Sequence, residues 1–213
     1  MKYLLLVLTS VLLLCFSTQA QTSAPDDGKI KDGVYYNSFF GFAFTYPKDW
    51  VVSDEAMKAR IQERAEEYAD KRGKLAGMKD AYLILTVSRD PLGTSTGALN
   101  PTVLVAAEKV SHVPNANAKD FLLGYRALKV KDGIPSMLSE PVEFRRAGLQ
   151  FFRDDYQGAI RGVSISQSTF VLIKKGYALV ITFTGQDRKS VEEMAKSMET
   201  ILTIGRGGNR PNN

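Results

Sequence analysis

Thiol and imidazole chemistry have almost nothing to draw on in this sequence, which carries one cysteine and one histidine in 213 residues. A site of nitrogen and sulfur ligands needs three or four partners, so His112 cannot assemble one and no metal is expected. Cys15 lies inside the N-terminal apolar segment. Once that segment is removed the chain has no thiol, and disulfides and thiolate nucleophiles are excluded with it. After residue 16 no apolar run approaches the ~20 residues that cross a bilayer as a helix, so no membrane span is expected. A strong excess of one charge is missing too. Lys and Arg number 28 against 23 Asp and Glu, a net +5 spread through the chain, which supports solubility and is not the footprint of a nucleic-acid binder. Neither standard Gly-rich phosphate loop is present, and no cofactor is expected.

What is there begins with an export signal: Lys2 as a short positive region, an apolar core from Leu4 to Phe16, and Thr18-Gln19-Ala20 as a small-x-small cleavage site. Cleavage after Ala20 places the mature chain in the periplasm or outside the cell. Cys15 has a second reading as the acylated residue of a lipoprotein, but such sites take a small residue before the cysteine and Leu14 is not small. Residues 1–20 are thus read as signal peptide and 21–32, with Pro25-Asp26-Asp27-Gly28 and little to bury, as a flexible leader. Residues 33–204 form a single domain and 205–213 a disordered tail rich in Gly, Asn and Arg.

The densest aromatic run is Tyr36 to Trp50. Phe40, Phe42, Phe44 and Tyr46 alternate with Gly41, Ala43 and Thr45, a period-2 pattern that sends the rings to one face of a strand. Val34-Tyr35-Tyr36 precedes it as a short strand. Pro47 stops the aromatic strand, and Lys48-Asp49 reads as a tight turn into Trp50-Val51-Val52, making a hairpin.

Ser53 or Asp54 then opens a helix with a thin apolar stripe of Met57, Ile61, Ala65 and Tyr68. Its remaining charge, Arg60, Glu63, Arg64, Glu66 and Glu67, is a solvated face or, alternatively, a charged docking surface. Strands follow at Tyr82–Ser88 and Thr102–Val110. A second helix has Ala118, Phe121, Leu122, Tyr125 and Leu128 on one face. Strands at 142–147, 149–157, 163–173 and 177–184 are joined by turns at Gly148, 158–162 and Lys174-Lys175-Gly176, giving consecutive hairpins. Asp187 caps a last helix with the stripe Val191, Met194, Ala195, Met198, Ile201 and Leu202. The class is α+β: a central, largely antiparallel sheet of about six to seven strands covered by helices, an α/β/α sandwich.

Catalytic patterns are few. Gly93-Thr94-Ser95-Thr96-Gly97 matches the nucleophile elbow of serine hydrolases, which must sit between a strand and a helix. Here Asn100-Pro101 and a β-branched strand follow, so a polar loop is the simpler reading. Asp26-Asp27 and Asp154-Asp155 lack the alternating acids of a calcium loop. Glu140, Glu143, Asp154 and Asp155 offer no distinguished acid and base pair for glycoside hydrolysis. No catalytic residue is assigned. The aromatic cluster is the one feature with a binding reading. Tyr35, Tyr36, Phe39 and Trp50 outnumber what one strand face hides and are the candidate partner or ligand surface, with core packing as the alternative.

The chain resembles the PsbP-like family, which includes the extrinsic protein of photosystem II and shares its fold with the Ran-release factor. The resemblance is carried by Tyr36-Asn37, Phe40-Gly41-Phe42, Phe44, Tyr46-Pro47 and Trp50, and by Tyr177 to Thr184 before the final helix. It covers most of residues 33–204 and implies an exported bacterial member: a central antiparallel sheet sandwiched by helices, used as a non-catalytic scaffold. No photosystem-binding or Ran-binding position is matched, and a secretion signal stands where plastid members carry a transit peptide. The expected function is therefore a non-catalytic binding or accessory module making protein–protein contacts in the cell envelope. The alternative is an apolar-ligand carrier, and a hydrolase using Ser95 or an acidic pair comes behind both.

Overall fold

The computed structural model describes residues 24–71, 81–94, 99–131, 139–160 and 162–204. Residues 1–23, which hold the expected signal peptide and Cys15, residues 95–98 with Ser95, and residues 205–213, expected as a tail, lie outside the described residues.

Three strands, β1 (Lys29–Lys31), β2 (Val34–Asn37) and β3 (Phe42–Thr45), form an antiparallel group. Pairing starts at Lys29, earlier than the expected leader allows, because Asp26 ties the segment down. Its Oδ1 accepts from Gly28 N at 3.0 Å, its Oδ2 from Ser38 Oγ at 2.9 Å, and its carbonyl from Asn37 Nδ2 at 3.0 Å. The expected hairpin from the aromatic strand into Val51-Val52 does not form. Trp50 N donates to Pro47 O in the turn, but β4 (Val51–Val52) passes into a different sheet and pairs with β5 (Ala81–Ser88). The free edge of β3 is taken instead by β11 (Leu202–Thr203), from the far end of the chain.

The second sheet is seven-stranded among the described residues, with order β4-β5-β6-β10-β9-β8-β7, where β6 is Thr102–Lys109, β7 Val142–Arg146, β8 Leu149–Ile160, β9 Val163–Lys174 and β10 Tyr177–Gly185. Every pairing is antiparallel. The three expected hairpins are present. Ala147-Gly148 (φ 49° and 74°) and Lys175-Gly176 (φ 52° and 77°) have both central residues in the left-handed region, the type I′ geometry that matches strand twist.

Side-chain alternation separates two faces. On the first, Val103, Val105, Phe170, Leu172, Leu179, Ile181 and Phe183 pack against Phe42 and Phe44 of the small sheet and against α3 (Arg188–Ala195), whose Val191, Met194 and Ala195 are buried. Asp187 caps α3, accepting from Ser190 N at 2.8 Å. The stripe continues through a 3-10 turn, Lys196–Thr200, to Ile201. Leu202 departs from the expected stripe, because the chain has turned extended to pair with β3, and it is 61% exposed. On the second face, α2 (Ala118–Lys131) covers Val171 and Ala178 with Ala118 and Leu122. α1 (Glu55–Lys71) lies beside it over β5. Asp54 and Asn117 cap these helices, accepting from Met57 N at 2.8 Å and Asp120 N at 2.9 Å. The architecture is the expected α+β sandwich, with the small sheet sharing one face with α3.

Gly185 ends β10 where α3 begins, and the helix comes close. A Cβ there would lie 2.6 Å from Ser190 Oγ and 3.1 Å from Val191 Cγ2. Gly185→Ala is expected to lose about 1–3 kcal/mol by overpacking, read by urea denaturation. A loss under ~0.5 kcal/mol would show that α3 shifts freely.

Candidate functional site

The aromatic residues singled out by sequence separate in the fold. Tyr35 is fully buried, its ring edge-on to Phe42 at 6.0 Å and Phe44 at 5.6 Å, and its hydroxyl accepts from Asn37 Nδ2 at 2.9 Å. Burial pushes its phenol up. Phe39 is 7% exposed and edge-on to Tyr177, with Lys175 Nζ 4.5 Å over its ring and bonded to its carbonyl at 2.6 Å. Lys174 Nζ donates to Phe40 O at 2.5 Å, so the β9–β10 turn holds this corner shut. Tyr35 and Phe39 therefore offer no surface, because the small sheet packs its inner face on the large one. Tyr36, at 38% exposure, is on the outer face, in register with Ala43, which is also the partner of exposed Leu202. Trp50 is half-buried and packs on the edge of the core. Trp50→Ala is expected to cost less than the ~3–5 kcal/mol of a fully buried aromatic, and as the sole tryptophan its emission should be intermediate between core and solvent values. A fully red-shifted native emission would place the ring in water.

The acidic pairs are structural. Asp154 and Asp155 are neighbours on β8 and so face opposite sides of the sheet. Asp154 takes a bidentate grip from Arg126 of α2, at 2.8 Å from Nε and 2.6 Å from Nη2. Asp155 pairs with Arg153 at 2.9 Å and accepts from Ser168, and Arg153 reaches Glu192 of α3 at 2.6 Å. Glu140 turns to Arg126 and Glu143 to Arg145. Asp27 pairs with Lys58 of α1 at 2.9 Å. These carboxylates fasten helices and strands, which answers why no acid and base pair could be singled out. His112 is exposed in the turn after β6. No group of three or more metal-ligating side chains occurs among the described residues.

A cavity of about 170 Å³ opens on the second face, between α1 and α2. Ile61 and Ala65 of α1 form one wall and Phe121 and Tyr125 of α2 the other. The floor is Leu83, Leu104, Ala106 and Val180, with Thr169, Thr182 and Gln62 at polar positions. Gln62 is already engaged, its Nε2 donating to Ala81 O at 2.9 Å. The thin stripe of α1 explains the gap. Ala65 and Ala106 are too small to bridge the space between two helices standing on one sheet.

Glu108 closes the far end. Alternation along β6 puts it on the same face as Leu104 and Ala106, and among the described residues its carboxylate has no hydrogen bond or ion pair. Burial pushes its carboxyl above the usual carboxylate range. Sequence reasoning passed over this residue. The available signal was an acid in an inward-facing register position of an alternating strand, at Leu104-x-Ala106-x-Glu108.

No family model matches the chain, and no curated protein matches it in sequence. Its structure is similar to that of LpqN, involved in cell envelope biogenesis of Mycobacterium tuberculosis, with TM-score 0.46 and 13% identity over 77% of this chain and 83% of that one. A protein of Bacteroides thetaiotaomicron VPI-5482 aligns with TM-score 0.45 and 12% identity, over 85% of this chain and 52% of that one. The solution structure of cyanobacterial PsbP from Synechocystis sp. PCC 6803 aligns with TM-score 0.44 and 12% identity, over 83% of this chain and 96% of that one.

Proposed function

We propose that this chain is an exported, non-catalytic binding module that holds an apolar group of its ligand in the cleft between α1 and α2. The observation that carries this reading is the cleft itself: about 170 Å³, walled by Ile61, Ala65 and Phe121 and floored by Leu104, Ala106 and Val180. A volume of that order takes up one benzene-sized ring when its lining is apolar. The carboxylates weighed as hydrolytic candidates, Glu140, Glu143, Asp154 and Asp155, are all paired with arginines, which supports a binding role over hydrolysis. Contact with an envelope protein is the second reading, favoured by the outer face of the small sheet, where Tyr36 and Leu202 are exposed on either side of Ala43.

The test is uptake of toluene followed by amide shifts in a ¹H–¹⁵N spectrum. Saturable shifts centred on Ile61, Leu104, Ala106 and Phe121 are expected, and Ala106→Leu, which fills the floor, should abolish them while leaving the fold intact. Shifts that are absent, or that persist unchanged in Ala106→Leu, would remove the cleft as the site.

A further inference from the structure

The position of Glu108 narrows the ligand beyond that reading, on which this inference rests. An isolated carboxylate at the edge of an apolar cavity is costly to keep, since its charged form loses hydration and gains no partner. The shielded carboxylates Asp154 and Asp155, by contrast, each have an arginine partner. Nothing in the packing of β6 requires an acid. Ala178 and Ala81 stand opposite Glu108 on the neighbouring strands, so an apolar side chain could occupy the same register position. A ligand nitrogen is the group that would complete the site, because a protonated amine donates several hydrogen bonds to one carboxylate and cancels its charge.

We infer that the α1–α2 cleft binds a small organic amine, whose ring or short alkyl body lies between Ile61, Ala106 and Phe121 and whose ammonium group is held by Glu108. The commitment to a small molecule follows from size: the cavity, about 170 Å³, takes roughly one ring. Selectivity follows from charge. A neutral alcohol of the same shape fills the apolar part and leaves Glu108 unpaired, and a carboxylate of the same shape meets like charge. Release on acidification is built in. The other titratable groups of the cleft are the phenols Tyr82 of β5 and Tyr125 of α2, while α1, β9 and β10 contribute Gln62, Thr169, Thr182 and Val180, which do not titrate. Glu108 is therefore the group whose protonation weakens amine binding, and its raised carboxyl sets that loss above the usual carboxylate range.

The experiment compares 2-phenylethylamine, 2-phenylethanol and phenylacetate by calorimetric titration of wild type, Glu108→Gln and Ala106→Leu at pH 7. Wild type is expected to take the amine about 10- to 100-fold more tightly than the alcohol, the effect of one charge-assisted contact, and to reject phenylacetate. Glu108→Gln should erase the preference and leave alcohol binding unchanged, whereas Ala106→Leu should lose both. Thermal melts report on folding independently. A carboxyl whose pKa is raised in the folded state contributes stability at low pH and loses it as pH rises through that pKa, so Glu108→Gln should melt above wild type at pH 7 and level with it near pH ~4. Equal affinity for amine and alcohol, or a preference that survives Glu108→Gln, overturns the amine assignment and leaves the cleft reading standing. Failure of every probe to bind overturns both.

Discussion

Asp154→Ala is expected to lose about 3–5 kcal/mol, because it leaves the Arg126 guanidinium under α2 without its bidentate partner. The two side chains are 5% and 11% exposed, so water does not replace the lost carboxylate. Arg126 keeps the Ser139 carbonyl and a longer contact to Glu140 at 3.4 Å, both at the exposed margin, and neither satisfies Nε. The pair is a tether, and its net value is small against a hydrophobic replacement. The double variant Arg126→Met/Asp154→Leu is expected to recover most of the loss and to stand near wild type. Urea denaturation of Arg126→Met, Asp154→Leu and the double variant completes the cycle. Single losses below ~1 kcal/mol, adding without coupling, would show that α2 is held by Ala118 and Leu122 alone.

Phe170→Ala should cost a similar amount, about 3–5 kcal/mol, by a different mechanism. Its ring is 1% exposed at the centre of the first face, edge-on to Phe144 at 5.3 Å and Phe183 at 5.8 Å, with the Arg153 guanidinium 5.4 Å above it. Truncation opens a cavity lined by rings from two strands, Phe144 of β7 and Phe183 of β10, and the rigid sheet beneath does not collapse to fill it. The melting temperature should fall by roughly 10 °C for a domain of this size. Phe170→Leu, which retains most of the volume, should fall far less. Equal losses for Ala and Leu would point to the ring contacts rather than to filled space.

The hairpins β7–β8, β8–β9 and β9–β10 were legible because each is local. Alternating runs end at residues such as Gly148 and Gly176, whose positive φ fixes the turn and with it the register. Caps were legible for the same reason, since Asp187 and Ser190 are three residues apart. Pairings across long separations had no local signature. Val51-Val52 follows the aromatic strand so closely that a hairpin was the natural reading, yet the partner of β3 proved to be Leu202-Thr203. The cleft was hidden for a further reason: it is a shortage of volume shared by Ala65 on α1 and Ala106 on β6, and neither alanine is unusual in its own element. The aromatic residues misled because size alone does not distinguish a ring that seeds a core from one that faces a partner. Tyr35 and Tyr36 are adjacent, and the sheet sends one to each side.

The small sheet closes the chain on itself, since the Thr45 amide is bonded to the Thr200 hydroxyl at a separation of 155 residues. Such a contact is the most expensive kind for a folding polypeptide, because nearly the whole loop must be restricted before the bond is rewarded. During synthesis the stacked rings of Phe42 and Phe44 are made early, but β11, which caps the edge of their strand, is made more than 150 residues later. Until Leu202 arrives, β3 has an open row of backbone donors and acceptors beside an aromatic surface, the combination that invites pairing with another chain. This late-made strand thus acts as a latch, and the interval before it engages is the period in which the nascent chain is most exposed to aggregation.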